Sequence, residues 1–201
     1  MADYIMSIKE LQKNLLASVS EKLTAFGFGK KAKQQSFYRS IEGGWACVHL
    51  SFIEHADDFD VTVDVAVRFD EVEDLVNSQN NLLTKKEKAG TSTLGVELGN
   101  LSTGEQRRWS ISSEDQISSV TDSILDTFDK LGEPYLLKYS SMGAAYELLS
   151  SDEKSAWKYC TFHATRAKKA IAIAKLLDQP DIQNQISTRR QFLEDMKDFG
   201  L

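Results

Sequence analysis

Residues 45–55 and 58–69 read WACVHLSFIEH and DFDVTVDVAVRF. Val48, Leu50 and Phe52 alternate in the first run. In the second, Val61, Val63, Val65, Val67 and Phe69 alternate with Asp60, Thr62, Asp64 and Arg68. A period of two with one apolar side marks antiparallel strands covered on one face and solvated on the other. A loop at 56–59 keeps both apolar sets on one face. It sets Phe52 opposite Val63, Leu50 opposite Val65 and Ser51 opposite Asp64, with His49 diagonal to Asp64.

Working outward, QSFYRSI (35–41) reads as a preceding strand that turns at Gly43-Gly44. TLGVELGNL and QRRWSI add two more strands, with Ser102-Thr103-Gly104 as a hairpin loop between them. Helices flank this set. Ile5, Ile8, Leu15, Leu16, Val19, Leu23 and Phe26 predict a helix over 4–26, stopped by Gly27 and followed by a basic connector to Lys33. Asp70 is placed to cap an acidic helix, DEVEDLVNS, and the polar stretch 77–92 reads as a mobile connection with a helical turn near Leu82-Leu83. Ile117, Val120, Ile124, Phe128 and Leu131 line a helix over 113–131, capped by Ser112 or Ser113 and ended by Gly132 and Pro134. Short helical turns follow over 135–149.

Ser150 and Glu153 have capping-box spacing and predict a long helix to about residue 177. Its expected packing stripe is Trp157, Cys160, Ala164, Ala167, Ile171 and Ala174. After a turn at Asp178-Gln179-Pro180, a last helix would carry Ile182, Ile186, Leu193 and Met196. The fold class is therefore α+β: an antiparallel sheet of about five strands flanked by helices, with a C-terminal helical hairpin. Residues 1–150 are expected to form the α+β domain, with the hairpin, 151–201, packed on it or extended from it.

Composition is that of an ordinary globular chain, 41% hydrophobic and 27% charged. No apolar run can span a bilayer, so a membrane is not an expected partner. The N-terminal residues lack the basic start and apolar core of a secretion signal. Cys47 and Cys160 are too few for a disulfide framework and read as reduced, buried side chains. Together these point to the cytoplasm. Residues 45–150 hold 19 acidic and 8 basic side chains, a net of −11, against +3 for residues 1–44 and +2 for 151–201. So negative a middle repels phosphate backbones and suits a basic protein partner.

A leading helix, the string GFGKKAKQQSFYR, strands around an acidic segment, LGVELGNL, the Trp of RRWSI and GEPYLL recur in this order over residues 8–145. In these features the chain resembles the uncharacterised bacterial family called domain of unknown function 4304. The resemblance implies an α+β fold; it supplies no reaction, cofactor or catalytic residue.

The chemistry-bearing candidates resolve as follows. His49, Ser51 and Asp64 would share a sheet face, but acyl transfer also needs oxyanion donors and a presented nucleophile. A regular strand commits its N–H groups to the ladder, and no G-x-S-x-G elbow is present. His49 and His55 lie about 20 Å apart along an extended strand and cannot chelate one ion. Asp57, Asp58 and Asp60 lack the glycine and closing Glu of a calcium loop. The glycines of GFG and LGVELGN fit neither phosphate-binding spacing. Arg166, Lys168, Lys169, Lys175, Arg189 and Arg190 form a basic cluster that acids interrupt. Glu71 and Asp74 fit a solvated helix face, and Asn100-Leu101-Ser102 spells a glycosylation sequon without a secretory context.

No catalytic, cofactor or metal residue is assigned. The expected function is binding of a basic protein, in the manner of an immunity protein against a toxin. The expected surface is the outer sheet face: Trp45, His49, Asp60, Asp64 and Arg68. The alternatives are a hydrolase whose site assembles from residues distant in sequence, and self-association through the C-terminal helices.

Overall fold

The computed structural model describes residues 6–29, 32, 34–78, 80–151, 153–180, 182–184, 186–188 and 190. Its strands are β1 (Ser36–Ile41), β2 (Gly44–Glu54), β3 (Phe59–Phe69), β4 (Leu94–Glu97) and β5 (Trp109–Ile111). They form one five-stranded antiparallel sheet in the order β1-β2-β3-β4. β5 pairs with the start of β3, Phe59 facing Ile111 and Val61 facing Trp109. The helices are α1 (Ile8–Leu23), α2 (Asp70–Asn77), α3 (Lys85–Gly90), α4 (Gln116–Thr127), α5 (Glu133–Tyr139), α6 (Met142–Ser150) and α7 (His163–Leu176). The α+β class with flanking helices is thus observed.

The chain divides into two compact units that are discontinuous in sequence. The first comprises 1–41, 45–66 and 95–138; the second comprises 42–44, 67–94 and 139–201. In the first unit, Val61, Val63 and Val65 of β3 are fully buried with Leu50 and Phe37. Leu11, Leu15, Val19 and Leu23 of α1 and Ile124 of α4 join that core, where α1 packs against α4. Phe128 stacks edge-to-face on both Phe26 and Phe28. In the second unit α7 packs against α2 and α6, with Ala167, Ala170, Ile173 and Ala174 on its buried side.

Several local expectations are corrected. α1 starts at Ile8, because Ser7 and Glu10 form a reciprocal capping box, and a 3₁₀ turn follows it over Thr24–Phe26. Residues 4 and 5 of the expected helix lie outside the described residues. Asp70 is the first residue of α2 rather than its cap, since its carboxylate takes Arg68 Nε at 2.6 Å. The expected loop 77–92 contains α3, opened by a capping box between Thr84 and Glu87. β4 and β5 do not pair as a hairpin. A 3₁₀ turn over Gly99–Leu101 redirects the chain, where Gly99 lies so close to the Glu105 carbonyl that a Cβ would collide with it.

Two helix boundaries also differ. Gly132 and Pro134 do not stop α4: a π turn over Phe128–Gly132 leads directly into α5. Neither Ser112 nor Ser113 caps α4; instead Gln116 Oε1 accepts from the N–H groups of both. The single helix expected from 150 to 177 is broken. Ser150 ends α6, with its hydroxyl donating to the Glu147 carbonyl. A 3₁₀ segment over Lys154–Tyr159 and extended Cys160 precede α7. In the last expected helix, residues 182–184 and 186–188 are helical, while Leu193 and Met196 lie outside the described residues.

Candidate functional site

Two turns set the register of the first unit's outer sheet face. The turn at 42–43 is short, and Leu50 N donates to Gln35 O at 3.0 Å. That pairing puts Ser36 opposite His49 and Tyr38 opposite Cys47. The β2–β3 loop runs over 55–58, where His55 N donates to Asp58 O, and Asp70 N donates to Gly43 O with the same offset. Along this offset His49 stands opposite Asp64 and Ser51 opposite Thr62. The expected pairing of Ser51 with Asp64 is therefore displaced by two residues. Buried Phe59 belongs to the strand and the core, not to the loop.

Ser36, Tyr38, Cys47, His49 and Asp64 consequently share one face. Ser36 Oγ and His49 Nδ1 share a hydrogen bond of 2.8 Å. The Cys47 thiol lies beside Ser36 and Tyr38, and Tyr38 meets Trp45 edge-to-face at 5.1 Å. Burial dominates the electrostatics. It pushes Cys47 up to about 11, and the nearby Asp64 adds to that rise. It also holds His49 below its ordinary value, against the pull of Asp64. Asp64 is raised by its own burial, and His49 offsets this only in part. Among the described residues no cation lies within ion-pair distance of Asp64.

The five residues expected at the binding surface have different fates. Trp45, His49 and Asp64 are half-buried on the outer face. Asp60 lies further along β3, accepting from Ser110 Oγ at 2.5 Å and pairing loosely with His55 and Arg108, at 3.4 and 3.6 Å. These contacts, Ser110 foremost, hold its carboxyl below the usual range. Arg68 belongs to the second unit and is only 4% exposed. It donates to the Lys88 and Thr91 carbonyls at 3.0 and 2.7 Å and pairs with Asp70. Its role is to hold α3 and the following turn, so it is no surface contact.

The reading of residue patterns missed Ser36, Tyr38 and Cys47 as members of this face. The length of the turn before Gly44 was the signal for them, because it fixes which β1 residue meets His49. The expected basic cluster also separates. Arg166 and Lys169 are buried, Arg166 donating to the Ser151 carbonyl, while Lys168 and Lys175 are exposed. Arg189 lies outside the described residues. Cys160 is half-buried rather than buried, and burial raises its thiol pKa. No helix among the described residues is long and apolar enough to cross a membrane.

A hydrolytic reading has a nucleophile–base contact here in Ser36 and His49. Among the described residues no hydrogen bond orients His49 through Asp64, and Ser36 lies on a regular edge strand rather than on a sharp turn that would present it to a substrate. The face is extended and partly aromatic, and it carries a half-buried acid with no cation in ion-pair range among the described residues. No family model, curated protein or solved structure matches the chain.

Proposed function

We propose that this chain is a non-enzymatic, cytoplasmic protein-binding module that receives a basic partner on the outer face of β1–β3, in the manner of an immunity protein. One observation carries the reading: Asp64 is half-buried beside a ring that is neutral at neutral pH, with no cation in range among the described residues. An ionised carboxylate so placed lacks the compensation that folded proteins ordinarily supply. An incoming Arg or Lys would supply it, and Trp45 and Tyr38, further along the same face, offer aromatic surface to the rest of the partner. The likeness of residues 8–145 to the family of unknown function belongs to this proposal and adds no reaction to it.

The test is quantitative capture from host lysate, with wild type and Asp64→Lys side by side at low and moderate salt. One stoichiometric basic partner that binds wild type, weakens with salt and is lost by the variant supports the assignment. A partner retained undiminished by Asp64→Lys overturns it. The Ser36–His49 hydrogen bond favours a second reading, a hydrolase with Ser36 as nucleophile and His49 as base. Labelling of Ser36 by a fluorophosphonate, lost on His49→Ala, would move the assignment there. Absence of labelling would eliminate it.

A further inference from the structure

The second unit holds a groove of about 1220 Å³ between α2, the segment after it, and α7. It exceeds the roughly 300–1,000 Å³ of small-molecule clefts. Its walls carry large apolar side chains in water: Leu82 is 94% exposed, Phe162 77% and Leu75 47%. Several large apolar side chains left in water around one groove favour a docking surface. A small ligand would leave much of it wet; a helix laid along α7 would cover it.

Charge selects the kind of helix. The floor holds Glu73 and Lys169, paired at 3.4 Å, which neutralise each other. Lys168 and Lys175 also line the groove, exposed and with no acid in ion-pair range among the described residues. They are two turns apart on α7, about 10 Å along its axis. Two acids seven residues apart on a facing helix match that spacing, with apolar residues between them to meet Phe162 and Leu82. A second feature favours a peptide over an anionic lipid surface. Glu73 Oε1 is buried, lines the groove and has no hydrogen-bond donor. A polypeptide can bring an N–H or O–H to it, whereas the phosphodiester oxygens that would meet the two lysines can only accept.

We propose that this groove docks an acidic amphipathic helix of a partner protein, its acids spaced to meet Lys168 and Lys175. The experiment presents the full chain to a displayed library of amphipathic helices in which two heptad-spaced positions vary among Glu, Gln and Lys. Enrichment of Glu at both positions is expected. Lys168→Glu/Lys175→Glu should weaken the selected peptide by roughly tenfold or more at low salt. Phe162→Ala should weaken it comparably, and Asp64→Asn should leave it unchanged.

All of these residues are partly or largely exposed, and matched circular dichroism spectra confirm that the variants fold. No enrichment, or enrichment of Lys, overturns the proposal. So does a selected peptide indifferent to the charge reversal, or lysine-dependent binding confined to vesicles of phosphatidylserine and phosphatidylcholine. Binding seen only after removal of residues 191–201, which carry Glu194, Asp195 and Asp198, would assign the groove to the chain's own terminus and equally overturn it.

Discussion

Replacing Lys169 with Met probes how the second unit is held together. The side chains of Lys169 and Glu73 are 9% and 1% exposed, and their charged atoms lie 3.4 Å apart, in ion-pair range but without hydrogen-bond geometry. The ammonium is otherwise satisfied by the Ser92 and Thr93 carbonyls, at 2.5 and 3.3 Å. Among the described residues Glu73 has only a 3.3 Å contact from Asn77 Nδ2 besides. The two partners are therefore unequal. Lys169→Met strands a buried carboxylate and two carbonyls, at a cost of about 3–5 kcal/mol. Glu73→Gln leaves the lysine bonded to both carbonyls and keeps an acceptor for Asn77, so about 1–2 kcal/mol is expected. The double variant removes both charges and should cost less than the sum of the singles, with a coupling of about 1–3 kcal/mol. For a chain of this length Lys169→Met then lowers Tm by roughly 6–20 °C. The assay is thermal unfolding followed by fluorescence in a background where Trp45 and Trp109 are Phe. Trp157, which contacts His163 at 4.4 Å within the second unit, is then the only reporter. A loss below about 1 kcal/mol for Lys169→Met, or strict additivity in the double variant, would refute the reasoning.

Further outcomes follow from particular contacts. Gly44→Ala should destabilise by about 2 kcal/mol or more in chemical denaturation, because a Cβ there would overlap the Arg68 carbonyl; an unchanged midpoint would contradict the strand geometry. His49 has a folded-state pKa below its ordinary 6.5, so the unfolded chain binds more protons. Its contribution is present above pH 6.5 and lost as pH falls toward the depressed value. Wild type should weaken over that window in pH-dependent melts, and His49→Gln should flatten the slope. Asp64 has the opposite sign: with its folded pKa raised, its contribution is present below pH 3.8 and lost as pH rises through the raised value. Asp64→Asn should therefore raise the melting temperature at pH 7 and not at pH 3. Cys47, with its thiol near 11 and 5% exposed, should resist iodoacetamide at pH 8 in the native state, and half-buried Cys160 should label first; mass spectrometry of timed samples reads the order.

The alternation of valines in β3 was legible because a covered sheet face leaves a strict period of two. Register was less so. Parity allowed the β2–β3 loop to slide by one residue at each end, and only burial of Phe59 decides between the positions. Arg68 shows how one misread propagates. Its place on the polar side of β3 is plain in the sequence. Its fate depends on α3, whose Thr84–Glu87 capping box was present but read as loop. With α3 in place, the Lys88 and Thr91 carbonyls enclose the guanidinium, and an expected contact residue becomes a structural one. Pro134 misled for a related reason: proline lacks an N–H, yet the π turn before α5 leaves that position without a need for one.

The phase of α7 is the last such ambiguity, and function depends on it. Alanine is compatible with either side of a helix, so the small residues from 164 to 174 admit more than one stripe. The expected stripe ran through Ala164 and Ala167 to Ala174, placing Arg166 and Lys169 outside. In the folded unit Ala164 is exposed and Arg166, Ala167, Lys169, Ala170 and Ile173 are buried. The rotation is driven by polar satisfaction. Lys169 finds two carbonyls and a carboxylate, Arg166 finds the Ser151 carbonyl, and both alkyl stems pack while their heads are bonded. A cluster that sequence alone groups as one basic ridge thus becomes two buried cations with structural partners and two exposed lysines beside an apolar groove. The exposed pair, Lys168 and Lys175, remains available for recognition, and their two-turn spacing gives the groove its preference for a particular pattern of acids.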